Sequence, residues 1–190
     1  MAGALFALPI ATEAGVFLAT YSEKGLAKLA FPGTTSLRGE QGLDSRNDHP
    51  SERLKGTVPP LSSDGAVGRQ LPKQIRRWHQ VSTRALRSIL AGRAPKVMPP
   101  LDWAGATDFQ QSVWRQMLKL RPGKTMSYGE IAAAIGKPNA VRAVGGACGA
   151  NPIPVLVPCH RILAAHKKIG GFSGGLAWKR RLLAREGLDF

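Results

Sequence analysis

SYGEIAAAIGKPNAVRAVGGACGANPIPVLVPCHRIL, residues 127–163, is the stretch whose reading decides this chain. Ser127 and Glu130 stand three apart, the spacing of a capping box, and Gly136 closes a short helix. After the turn Lys137-Pro138-Asn139, a second helix is predicted over residues 140–150, up to Asn151-Pro152. Two short helices joined by a tight Gly-containing turn make a helix-turn-helix pattern. An ordinary helical hairpin gives the same signal. The second helix is built of Ala, Val, Gly and Cys, with Arg142 its only charge. Helices that read base edges in the major groove present Arg, Asn, Gln or Lys at several positions. This one is poor in such groups but thin, which suits close backbone approach to a shallow or minor groove. Small residues also permit tight helix packing, so both readings stand at this level.

The run Pro154-Val155-Leu156-Val157 is apolar and β-branched, and it predicts a buried strand leading to Cys159. His160 follows directly, and Arg161 adds positive potential. Thiolate is the reactive form of cysteine, and it needs a base or a positive field to form near neutral pH. Adjacent side chains on an extended segment point apart. His160 would therefore reach Cys159 through a water, or the chain must turn. Asn151-Pro152 and Pro154 restrict the backbone, and an Asn side chain can bond a turn. Buried cysteine is also a common small apolar filler. The residues alone leave a reactive and an inert Cys159 level.

Outward from this stretch, LFALPI, VFLATYS and LAKLAF (5–10, 16–22 and 26–31) predict three short strands of an antiparallel sheet. Residues 33–70 lose apolar periodicity and read as a flexible insertion or linker. From Pro72 to about Ala91, apolar residues recur at helical spacing, with Gly92 as the stop. MPPLDW, 98–103, reads as a linker. Thr107 and Gln110 form a capping box before a helix whose Phe109, Val113, Met117 and Leu120 share one face, ended by Arg121-Pro122-Gly123. His79 and His166 are expected at the surface.

The chain has 190 residues, 43% of them hydrophobic, which fits a packed globular protein. No apolar run approaches the ~20 residues of a membrane helix, and the N-terminus makes a poor signal peptide because it lacks a basic lead and carries Glu13 early. Two cysteines cannot build a disulfide framework or a metal-type spacing. The expectation is a reduced, cytosolic, metal-free protein. The net charge of +15 lies wholly beyond residue 70, and residues 71–100 hold seven bases and no acid. A polyanion such as nucleic acid is the direct reading; a solvated basic surface is the plain alternative.

Pro-Cys-His-Arg at 158–161, downstream of Asn-Pro at 151–152, resembles the hallmark of the methylated-DNA–protein-cysteine methyltransferases, or O6-alkylguanine-DNA alkyltransferases. SYGEIA (127–132), NAVRAVGGACGANP (139–152), GGFSGGL (170–176) and KRRLLAREG (179–187) match in order and spacing. The resemblance is strong from about Thr107 to Leu188 and weak over 1–100, where only the order of sheet then helix fits. It implies an α+β fold in two domains. Residues 1–100 would form an α/β domain with a small antiparallel sheet. Residues 101–190 would form a mostly helical, winged-helix-like domain with the helix-turn-helix.

The resemblance also implies a role for each site residue. Cys159 would accept the alkyl group from O6-alkylguanine in double-stranded DNA, once and irreversibly, without cofactor or metal. His160, oriented by Glu186, would take the thiol proton through a water, and Asn151 would brace the turn. The lesion must be flipped out of the stack. Arg142 would fill the vacated space, and Tyr128 would sit near the flipped nucleotide's phosphate and supply a proton to the base. Ala143 and Gly145 would allow helix 139–150 into the minor groove. Ile162, Ser173 and the backbone at Cys159 would meet the guanine edge, with Phe172 and Lys179 beside them. Phe172 stands where the family often has tyrosine, so a hydroxyl is lost and an apolar wall kept. The absence of any cysteine before Cys148 argues against the N-terminal zinc site of some members. Cys148 reads as a small packed residue. The protein is expected to be monomeric and cytoplasmic, with the nucleoid in a bacterium or nuclear in a eukaryote. Three rivals remain in view: a damage sensor that transfers nothing, a transcription regulator and a thiol hydrolase. Cys159 weighs against the first, the scarcity of base-reading side chains against the second, and single-use stoichiometry would exclude the third.

Overall fold

The computed structural model describes residues 4–33 and 71–190, so the insertion read at 33–70 lies outside the described residues apart from Gly33. Three strands, β1 (Phe6–Thr12), β2 (Gly15–Tyr21) and β3 (Leu26–Ala30), form an antiparallel meander in that order. Strand alternation sends Ile10, Phe17, Ala19, Tyr21, Leu26 and Leu29 to one buried face. Helix α1 (Lys73–Leu90) covers that face with Ile75, Ala85, Leu86 and Ile89. Pro72 caps its start, and Gly92, at φ +71, follows its end. A Cβ at Gly92 would lie 1.9 Å from the Arg185 carbonyl oxygen, so only glycine lets this corner close. His79, expected at the surface, is half-buried, its Nδ1 3.2 Å from the Tyr21 hydroxyl. The helical face that carries it leans on the sheet.

The segment read as a linker at 98–103 is pinned to the sheet. Leu26 N–H donates to Pro100 O at 2.8 Å, and Asp102 N–H donates to Leu26 O at 2.8 Å. Helix α2 (Asp108–Leu118) starts at the Thr107–Gln110 capping box and ends ahead of Arg121-Pro122-Gly123. A short strand β4 (Met126–Ser127) leads into α3 (Tyr128–Ala134) through the Ser127–Glu130 capping box. After a turn comes α4 (Val141–Gly149), then a 3₁₀ turn at Cys159–Arg161, strand β5 (Ile162–Leu163), a second short turn at 165–167, and α5 (Leu176–Arg185). β4 and β5 pair in parallel. α4 rests on α2 and α3 through Val113, Trp114, Ile131, Val144 and Ala147, and Trp114 Nε1 donates to Ala147 O at 2.8 Å. The buried apolar cluster runs from the sheet through to Leu182 without a break.

One predicted element is absent. Residues 154–157 are not a strand: they make a buried turn in which Val155 adopts φ +73. Prolines at 152, 154 and 158 deprive this stretch of ladder donors. Its backbone bonds locally instead, Val157 N–H to Ile153 O at 2.9 Å. A β-branched residue at positive φ is a rare and strained backbone, held here by complete burial.

Candidate active site

The turn that replaces the strand positions Cys159. Asn151 organises it from the end of α4. Its Oδ1 accepts from Ile153 N–H at 3.0 Å, and its Nδ2 donates to Val157 O at 2.9 Å and to Cys159 Sγ at 3.1 Å. A single amide thus fixes both ends of the turn and contacts the sulfur. Burial pushes the Cys159 thiol up to about 11; the Asn151 hydrogen bond, backbone N–H groups and the Lys179 charge pull the other way and only moderate it. The resting group is therefore a protonated thiol.

His160 is wholly buried. Because Cys159–Arg161 is a 3₁₀ turn and not a strand, His160 turns inward and meets Glu186 at the end of α5, Nε2 to Oε1 3.1 Å. Burial lowers its pKa, and the nearby Arg161 and Lys179 charges lower it further, against the opposing pull of Glu186. The imidazole is neutral at neutral pH. With Nε2–H on the carboxylate, Nδ1 is a free base, and it has no hydrogen-bond partner among the described residues.

Glu186 is held from three sides. Arg161 donates through Nε to Oε1 and Oε2 at 3.0 and 3.1 Å and through Nη2 to Oε1 at 2.7 Å. Gly123 N–H donates to Oε2 at 3.0 Å. Burial alone would raise this carboxyl, but the His160 and Arg161 hydrogen bonds overcome it and hold the pKa at about 2. Arg161 also donates to Leu120 O at 2.6 Å, so it ties the loop after α2 to the site. Sequence reasoning assigned Arg161 only a diffuse positive field. Its place directly after His160 was the available signal.

Lys179 is fully buried on α5, and its Nζ donates to Ile162 O at 2.6 Å and Gly171 O at 3.2 Å. Desolvation lowers its pKa to about 8. It clamps β5 to the loop 170–175. Phe172 is half-buried in that loop, its ring 6.5 Å from that of His160 and 5.8 Å from that of Phe31. A Cβ at Gly174 would lie 2.5 Å from the Phe31 ring, so the N-terminal half shapes this loop directly. That contact left no trace in the sequence pattern.

Asn151, Cys159, His160, Ile162, Lys179 and Glu186 thus come together in the interior, with Phe172 at the edge. Tyr128 opens α3, half-buried, and burial raises its pKa. Cys148 is on the buried face of α4, with its thiol pushed to about 12 by burial. Ser173 is exposed. Arg142 and Ala143 are exposed on α4 and Gly145 is half-exposed, so these three stand outside the buried cluster. A Cβ at Gly145, Gly146 or Gly149 would meet nothing within 4 Å. The small residues of the outer face are therefore not required by packing within the described chain.

Residues 108–188 match the family described as 6-O-methylguanine DNA methyltransferase, DNA binding domain. The methylated-DNA–protein-cysteine methyltransferase of Mycobacterium tuberculosis is 50% identical over 101 residues, covering 53% of this chain and 61% of that protein. Its Saccharomyces cerevisiae counterpart is 44% identical over 87 residues, 46% of each chain. The chain thus aligns with less than two thirds of the length of these curated relatives. A crystal structure of Mycobacterium tuberculosis OGT in complex with DNA superposes with a TM-score of 0.65 at 33% identity, over 94% of this chain and 90% of that one. With a buried Pro-Cys-His-Arg turn, a Glu–His–Cys arrangement and this agreement along both halves, the chain belongs to the family of O6-methylguanine-DNA methyltransferases.

Proposed function

We propose that the protein repairs DNA by transferring an alkyl group from O6 of guanine to Cys159 Sγ, once per molecule. The observation that carries this reading is a buried thiol, braced by Asn151 at 3.1 Å, beside a buried histidine whose Nδ1 is unpartnered among the described residues. Nδ1 takes the thiol proton through a water. Glu186 stabilises the imidazolium that forms, as in other nucleophile–base–orienter chains. Sγ attacks the alkyl carbon in line; the S–C bond forms as the C–O bond breaks, and the electron pair stays on guanine. The Tyr128 hydroxyl, kept protonated by its raised pKa, gives guanine N3 a proton; the tyrosinate left behind is reprotonated from solvent as His160 releases the thiol proton to solvent. The thioether product does not hydrolyse, so Cys159 is consumed.

The damaged nucleotide reaches the site by leaving the duplex. The exposed face of α4 supports minor-groove approach, with Ala143 and Gly145 admitting the sugar–phosphate walls and Arg142 filling the vacated stack. Ile162, Ser173 and the Cys159 backbone face the guanine edge, Phe172 forms an apolar wall, and Lys179 holds the pocket loop. We place the division between the two domains near Leu101. No metal or cofactor takes part. The protein acts as a monomer wherever DNA is kept: the cytoplasm with its nucleoid, or a nucleus. Among the described residues no helix is long and apolar enough to cross a membrane.

The test is intact-protein mass spectrometry after mixing with a duplex that carries one O6-methylguanine, beside Cys159→Ala. A gain of one methyl group by the wild type alone, saturating at one per molecule, is expected. Tight lesion binding with no gain would replace this reading with a damage sensor.

A further inference from the structure

The α3–α4 motif does not account for where the charge of this chain lies. On α1, Lys73, Arg76, Arg77, Arg84 and Arg87 are all exposed. At about 100° per residue they fall within an arc of about 100°. The opposite arc is the buried stripe that contains Ile75, Leu86 and Ile89. None of these cations pairs with a carboxylate among the described residues, where both ion pairs are made by Glu186.

The basic face continues beyond the helix. Arg77, Arg84, Arg93 and Lys96 border a cleft of about 770 Å³ between α1 and the segment after it. Arg87, Arg93, Arg181 and Arg185 border a second cleft of about 540 Å³, where α1 meets α5, with Trp178 on its wall. Arg93 borders both, so the two clefts adjoin. Two guanidinium groups are already positioned: Arg87 Nη2 donates to Ala11 O at 3.0 Å, and Arg181 lies over the Trp178 ring at 5.3 Å. Glu13 is the single carboxylate among the residues bordering the second cleft. A merely solvated surface mixes both signs; one-signed fields repel themselves and serve to attract a counter-charged partner. Eighteen residues of α1 span about 27 Å, the rise of about eight base pairs.

We propose that α1, the segment 93–96 and the C-terminal part of α5 form a second duplex-DNA backbone site, separate from the face of α4. It binds phosphates without reading bases. It rests on charge and geometry, and it stands whether or not Cys159 accepts an alkyl group. The phosphates are those of the flank of the duplex held at α4.

The test is binding of an undamaged duplex of about 30 base pairs by fluorescence anisotropy across a salt series. Arg77→Gln/Arg84→Gln is compared with Lys24→Gln/Lys28→Gln, which removes the same charge from exposed positions on and beside the sheet. The expected result is a salt slope, log K against log salt, shallower by about 2 in the α1 variant and nearly unchanged in the other. Equal slopes in the two variants overturn the proposal. Thermal melting of both variants at the wild-type temperature shows that they are folded. Sedimentation with excess duplex checks the source: one duplex per protein is expected, and two duplexes per protein overturn the proposal.

Discussion

The outer face of α4 and the buried turn around Cys159 adjoin each other and are built on opposite principles. In the turn, nearly every polar group is satisfied inside the protein: Asn151 makes three hydrogen bonds and Glu186 is held by His160, Arg161 and Gly123. The outer face of α4 offers almost nothing to its own chain. Three glycines in a helix of nine residues have open space where a side chain would go, although each lowers helix stability by about 1 kcal/mol relative to alanine. The fold specifies the turn, whereas the α4 face makes sense only with something outside it. A residue in the first region should register in stability, and a residue in the second only in binding.

The sharpest attempt to break this contrast is Cys159→Ala. Alkyl transfer should vanish, with no methyl gained by mass spectrometry, while lesion-duplex affinity by anisotropy stays within a few-fold. Glu186→Gln comes next. It leaves Arg161 buried without a carboxylate, and breaking such a pair costs about 3–5 kcal/mol. The melting temperature should fall by about 10 °C, read by calorimetry. Acid should act on the same cluster. The Glu186 pKa lies at about 2 against the ordinary 4.5, so its contribution is complete above 4.5 and is lost as pH falls toward 2. The His160 pKa is depressed as well, so below about 6.5 the unfolded chain takes up a proton that the folded one refuses. Both effects have the same sign. Melting temperature should decline below about pH 6.5 and more steeply below about 4.5.

On α4 the signs should reverse. Arg142→Ala should leave the melting temperature unchanged, as an exposed substitution does within about 0.5 kcal/mol, yet weaken lesion-duplex binding by about tenfold or more. The smallest effect is the most discriminating. Gly146→Ala should stabilise the protein by up to about 1 kcal/mol while weakening DNA binding. If it strengthens both, the outer face of α4 is not the contact surface.

Much of this was legible in the residues. Local chemistry marks local structure: the Thr107–Gln110 and Ser127–Glu130 boxes start α2 and α3 as their spacing predicts, and alternation places the three strands. The Pro-Cys-His-Arg run and its companions pointed to Cys159, His160, Asn151 and Glu186, and these four are in one cluster. The β-branched run at 154–157 misled, because propensity sees side chains and not the missing donors of three prolines.

By itself, then, the sequence determined most of the elements and the basic excess beyond residue 70, and it pointed to Cys159. Only the tertiary structure decided that Arg161 clamps Glu186, that Phe31 walls the loop of Phe172, and that α1 and α5 bring their arginines to one cleft. Those contacts link residues from 25 to 141 positions apart, where no periodicity or cap can operate. They are set by how the buried faces of distant elements fit together.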